Sequence, residues 1–260
     1  MNSLNYGYFR CYEDNYAHFL YFPFSKKIIL FDAPEAEPIL KFLYEKNYTI
    51  EALFITHKHD DHTAAIPQLI KDFSFPIYGP EKAKETCPFI DYFLHEEKIL
   101  QRFDIDILPL FTPGHTLDSI SYFLPNHNLL FAGDSLFSLG CGRLFEGDPT
   151  MMVHSLDKIR LLPDKTILCP GHDYFLQNLH FAHMLEPENK LFKRLIKNAA
   201  YLKNTTSLKK PSLLHFEKKY NPFLRLEDIK FKQELHKTYA DKIEFFTYLR
   251  EKRNLFSYSI

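Results

Sequence analysis

Tryptophan is absent from the 260 residues, and glycine, with eight, is scarce. Aromatic packing therefore falls to 26 Phe and 16 Tyr, in a chain whose 45% hydrophobic content is enough for a sizeable core and argues against wholesale disorder. No apolar run approaches the roughly 20 residues of a membrane span, so no membrane partner is expected. The four cysteines, Cys11, Cys87, Cys141 and Cys169, are scattered without a CxxC pair. That spacing argues against a disulfide framework and predicts reduced thiols. Residues 1–6 lack the basic and apolar regions of a signal peptide, and the expected location is the cytoplasm.

Excess charge is lacking too, since the net charge is −1, but the charges are unevenly spread. Residues 1–173 carry 15 Lys and Arg against 24 Asp and Glu, whereas residues 174–260 carry 17 against 9. The basic last third reads either as a solvated lysine-rich surface or as a region that meets an anionic ligand.

Up to about residue 173 the chain alternates short apolar runs with amphipathic stretches. Strands are predicted at 28–31, 53–56, 105–111, 120–123, 129–132 and 166–169, and helices at 63–71 and 150–162. Beyond residue 173 the strand signal fades. Leu191, Leu195, Ala199 and Leu202 follow helical spacing, as do Ile243, Phe246 and Leu249, while 203–211 (KNTTSLKKP) reads as a loop. The division is a mixed α/β domain over 1–173 and a helical domain over 174–260.

Candidate ligands are dense where the strands end. Residues 53–62 read LFITHKHDDH, an apolar strand followed at once by His57, His59, Asp61 and His62. In an extended segment His57 and His59 project to one side. Three further segments place a glycine and then a ligand after an apolar strand: Gly114-His115, Gly133-Asp134 and Gly171-His172. Glycine lets the backbone turn sharply and approach an ion closely. A lone histidine at a strand end is usually structural. Five imidazoles and two carboxylates repeated in this pattern instead suit zinc, iron or manganese, and not calcium. Cys141 and Cys169 have no acid–base partner that would make either a nucleophile, and His180 and His183 are assigned to surface or packing roles.

These motifs resemble the metallo-β-lactamase superfamily, and more finely glyoxalase II. The resemblance includes the N-terminal EDNY of residues 13–16, AEP at 36–38, GDSLFSLGCGRLFEG at 133–147, NPFLRLED at 221–228 and FTYLREKRNLF at 246–256. It implies an αββα sandwich followed by a C-terminal helical domain, with two divalent metal ions, zinc first and iron or manganese as alternatives. His57, His59 and His115 would hold one ion, Asp61, His62 and His172 the other, and Asp134 would bridge both. Two such cations lower the pKa of a shared water from about 15.7 toward 7, and Asp61 would help to orient it. The implied reaction is hydrolysis of S-(2-hydroxyacyl)glutathione thioesters, with Arg143, Phe145, Tyr174, Arg250 and Arg253 holding the glutathione moiety. Phe145 stands where some members have Tyr, and Arg253-Asn254 replaces a common Lys-Asp. The alternatives are another hydrolase of the same superfamily, or a mononuclear iron persulfide dioxygenase of it, which usually lacks the long helical region. No nucleic-acid partner is expected, and the chain is expected to act as a monomer.

Overall fold

The computed structural model describes residues 4–257 apart from 97, 203–211 and 236–237, and leaves undescribed the side chains of 199–202. The loop expected at 203–211 lies outside the described residues. Two sheets form the centre. The first runs β1 (Asn5–Cys11), β2 (Asn15–Phe22), β3 (Lys27–Phe31), β4 (Thr49–Phe54), β5 (Ile77–Pro80) and β6 (Tyr92–Leu94), in that order across the sheet. The second has the order β13-β10-β9-β8-β7, from β7 (Leu100–Arg102), β8 (Ile105–Phe111), β9 (Ile120–Leu124), β10 (Leu129–Gly133) and β13 (Ile167–Pro170). A short ribbon, β11 (Leu136–Phe137) with β12 (Gly140–Cys141), leads out of β10.

The sandwich follows from strands that are apolar on both faces. In β3, Ile29 and Phe31 enter the layer between the sheets while Ile28 and Leu30 face the opposite side. In β10, Leu129 and Phe131 point inward and Leu130 and Ala132 outward. Phe31 and Phe131 stack across the sheets at 3.6 Å. Helices α1 (Ala36–Lys46) and α3 (Ile66–Asp72) cover the outer face of the first sheet through Ile39, Leu43, Ile66 and Leu69. Helix α4 (Pro149–Arg160) covers the second through Met152, Val153, Leu156 and Ile159. This is the metallo-β-lactamase-like αββα arrangement, with helices after residue 173.

Those helices are α5 (Phe175–Leu185), α6 (Lys190–Leu202), α7 (Leu214–Tyr220), α8 (Ile229–Glu234) and α9 (Lys242–Leu255). Phe181, Phe231, Phe245, Phe246 and Leu249 are fully buried in the same cluster as α4 and the outer face of β10. The core therefore crosses the expected boundary without a break.

One expected helix is corrected. The stretch 63–71 forms two helices, α2 (Asp60–Thr63) and α3, because Pro67 near the start of α3 has no N–H to continue the ladder from Thr63. The strand expected at 53–56 instead spans Thr49–Phe54, which leaves Ile55 and Thr56 to lead into the ligand turn.

Candidate metal centre

The direction of the strands gathers the ligands. β9 lies antiparallel between β8 and β10, and β13 is parallel to β10, so β8, β10 and β13 all end at one edge. His115, Asp134 and His172 leave those three ends, and His57, His59, Asp61 and His62 arrive from the end of β4 in the facing sheet. Two glycines make the approach possible. Gly133 has φ +48, and a Cβ on Gly171 would lie 2.5 Å from Oδ1 of Asp134 and 2.7 Å from Cε1 of His62.

The donor atoms converge in groups whose members lie within 4.8 Å of one another: His57, His59 and His115; His57, His62 and Asp134; and Asp61, His62 and His172. Nδ1 of His59 is 3.1 Å from Nε2 of His57 and 3.1 Å from Nε2 of His115. Ligands about 2.1 Å from a tetrahedral zinc ion stand about 3.4 Å apart, so this spacing suits a cation. Asp134 reaches both outer groups, with Oδ1 3.3 Å from Nε2 of His62 and Oδ2 3.4 Å from His115 and 3.5 Å from His172. Oδ2 of Asp61 is 3.3 Å from Nε2 of His172.

Each imidazole except His59 is held from behind by its second nitrogen. Nδ1 of His57 meets the Thr56 hydroxyl at 3.0 Å, and Nδ1 of His115 meets the Arg143 carbonyl at 2.8 Å. Nδ1 of His62 meets Asp32, and Nδ1 of His172 meets Asp14, both at 2.8 Å. Such partners fix which nitrogen faces the ion. Asp32 was not among the expected site residues, although the run 28–32 (IILFD) has the same strand-then-acid form as the others.

The electrostatics call for positive charge. Burial raises the Asp134 carboxyl, but His62 and His172 outweigh it and hold the group well below the usual range. A hydrogen bond from His172 likewise lowers Asp61. Burial opposes protonation of His62 and His172, yet the carboxylates of Asp134, Asp32 and Asp61 outweigh it and raise both, His172 to about 10. Burial lowers His57 and His115. Nε2 of His62 and Oδ1 of Asp134, 3.3 Å apart, are buried with no well-formed hydrogen bond among the described residues. Two orphaned atoms facing a convergent donor set fit a cation, and the cluster suits a pair of metal ions.

The metallo-β-lactamase superfamily matches residues 25–172, and the hydroxyacylglutathione hydrolase C-terminus matches residues 173–256. The hydroxyacylglutathione hydrolase of Bartonella henselae is 39% identical over 95% of this chain and 98% of its own length, and that of Brucella ovis is 37% identical over 95% and 96%. The chain belongs to the hydroxyacylglutathione hydrolase family. Among solved structures it is similar to BLEG-1, a B3 metallo-β-lactamase, with TM-score 0.66, 25% identity, 85% of this chain and 99% of that one. ETHE1 from Myxococcus xanthus shares the fold, with TM-score 0.67 at 24% identity over 96% and 92%. The match of the last third to the hydroxyacylglutathione hydrolase C-terminus favours the family's hydrolase over the dioxygenase alternative.

The residues expected to hold glutathione border this centre or the loop beside it. Phe145 is 63% exposed and stands edge-on to His59 and His115, with centroids 5.6 and 5.2 Å away. Tyr174 stacks on His172 at 4.8 Å. Arg143, exposed, supplies the carbonyl behind His115. Arg250 and Arg253 share α9 but are held differently. Arg250 is 6% exposed, and its Nη1 donates to the carbonyls of Cys141 at 2.8 Å and Gly142 at 3.3 Å. Arg253 meets neutral acceptors, Asn178 at 3.1 Å and Gln177 at 3.4 Å. Burial and then Arg250 and Arg143 lower its guanidinium to about 10, so three guanidinium groups lie near one another there. The two cysteines beside these segments are buried, and burial pushes Cys141 up to about 11 and Cys169 up to about 12. Neither is a thiolate at neutral pH.

Proposed function

We propose that this chain hydrolyses S-(2-hydroxyacyl)glutathione thioesters, S-D-lactoylglutathione to D-lactate and glutathione, as a cytoplasmic monomer. The observation that carries the reading is the pairing of a centre of seven convergent donor residues with helices that match the hydroxyacylglutathione hydrolase C-terminus. Zinc is the first choice of metal for five imidazoles and two carboxylates, with iron or manganese as alternatives. His57, His59 and His115 would hold one ion, Asp61, His62 and His172 the other, and Asp134 would bridge them. Divalent ions there would supply an acidified water and a Lewis acid for the thioester carbonyl.

The chain's own residues do the rest. Asp61, the more open of the two carboxylates with a side chain 45% exposed, orients the attacking water from the solvent side. Phe145 walls off the imidazoles of the first group. Arg253, Arg143 and Tyr174 bind the glutathione carboxylates and peptide, and so hold the thioester sulfur toward the centre. Thiolate is a good leaving group, so no separate acid is needed. Steady-state assay of S-lactoylglutathione hydrolysis beside elemental analysis tests the reading. Turnover with two ions per chain is expected; full activity with one ion, or no thioester hydrolysis by two-ion protein, would sink it.

A further inference from the structure

The extended backbone that turns His57 and His59 toward the centre turns the residue between them the other way. That residue is Lys58, and its surroundings form a closed ring. Its N–H donates to Oδ2 of buried Asp118 at 3.0 Å, and its ammonium pairs with Oε1 of Glu146 at 2.5 Å. The other oxygen of Glu146 accepts the N–H of Leu117 at 3.0 Å. Leu117 and Asp118 belong to the turn that begins with His115. The N–H groups of Phe145 and Glu146 return to the His115 carbonyl at 3.1 and 3.4 Å.

Three segments are joined in this way: the His57–His59 turn from the first sheet, the His115 turn from the second, and the loop that carries Phe145. Together they supply all three imidazoles of one donor group and the aromatic wall beside it. The Tyr122 hydroxyl and the Ile120 N–H, from the second sheet, already anchor the carbonyls of Ile55 and Thr56. The ring at Lys58 extends that anchorage past His57 to His59. His59 is also the imidazole of the cluster with no hydrogen-bond partner behind it among the described residues, so its placement depends most on the backbone that carries it. The ion pair is 26% and 28% exposed at its two side chains, and pairs this open add little to global stability. Its effect is local.

We propose that Lys58, acting through Asp118 and Glu146, is a positioning residue that sets the His57–His59–His115 group and holds Phe145 against it. The proposal rests on the metal reading of that group and concerns one of the two ion sites. Zinc titration of the metal-free, full-length protein against a chromophoric chelator tests it without any turnover. Lys58→Met and Glu146→Gln are expected to weaken one of two zinc affinities by about ten- to a hundred-fold, the usual cost of losing an outer-shell partner. The other affinity and the melting temperature should stay at wild-type values. Lys58→Arg should restore the weakened affinity. The weakened step should be the one that His115→Ala removes, while Asp14→Asn, which unseats His172, weakens the other. Unchanged affinities, or equal loss at both sites together with a lower melting temperature, would overturn the proposal. The expected zinc pattern in a protein that hydrolyses no thioester would remove the functional reading and leave this one standing.

Discussion

Asp32 holds His62 at 2.8 Å through the imidazole nitrogen that faces away from the donor cluster, and does so from a left-handed backbone position, φ 61. The same carboxylate accepts the N–H and the hydroxyl of Thr56, both at 2.7 Å. One buried acid thus braces His62 directly and His57 through its neighbour Thr56. Asp32→Asn tolerates the left-handed backbone but cannot accept all three hydrogen bonds. It should lower metal retention or turnover by about ten- to a hundred-fold, measured as ions per chain after dialysis and as kcat/KM.

The two arginines of α9 should separate kinetically. Arg253, with neutral hydrogen-bond partners and two other guanidinium groups nearby, should contribute to substrate binding alone, and Arg253→Ala should raise KM roughly ten- to a hundred-fold with little change in kcat. A thioester lacking the glutathione carboxylates should barely respond. Arg250→Ala should instead cost about 2–4 kcal/mol of stability, because the buried guanidinium holds the Cys141–Gly142 backbone. An unaltered KM in Arg253→Ala would leave the basic helix as solvated surface.

Neither sulfur should matter to the reaction. Cys141→Ala and Cys169→Ala should keep thioesterase activity once folded. Alkylation by iodoacetamide at neutral pH should be slow, since burial holds the thiols up near 11 and 12. Mass spectrometry that trapped an acyl group on either sulfur would contradict the water-based reaction.

Acid should weaken the fold through His18, which is outside the donor cluster. Burial holds its imidazole down to about 4, with Nδ1 facing the Tyr6 hydroxyl and Nε2 facing the Pro170 carbonyl. Between about 6.5 and 4 the unfolded chain binds a proton at this residue that the folded chain does not. Stability is therefore lost as pH falls through that window. His18→Gln removes the effect, so the stability gap between wild type and variant should shrink by about 2 kcal/mol between pH 7 and pH 5. Urea unfolding at the two pH values measures it, and a constant gap would refute the assignment.

The convergence of the seven donor residues was legible because each follows an apolar strand, three of them behind a glycine, and strand direction carries every such end to one edge. Their supports were not. Asp32 and Asp14 reach His62 and His172 across 30 and 158 residues of chain, and the partner of His115 is a backbone carbonyl, which no sequence motif encodes. The N-terminal hairpin β1–β2 was missed although β2 ends in the apolar run 19–22 (FLYF), because Asn, Gly, Arg and His interrupt the rest of both strands. The helix pattern at 63–71 was real, but Pro67 divided it. For Arg250 and Arg253, spacing placed both on one helix and gave no sign that one would be buried and the other left half-buried against Asn178 and Gln177.

The shared core has a consequence for how the chain is made. The outer face of the second sheet, through Leu130 and Leu168, lies in one cluster with Phe245, Phe246 and Leu249 near the end of the chain. Synthesis runs from the N-terminus, so this cluster cannot close until the last helix has been released from the ribosome. During that interval the nascent sandwich exposes the apolar outer face of its second sheet.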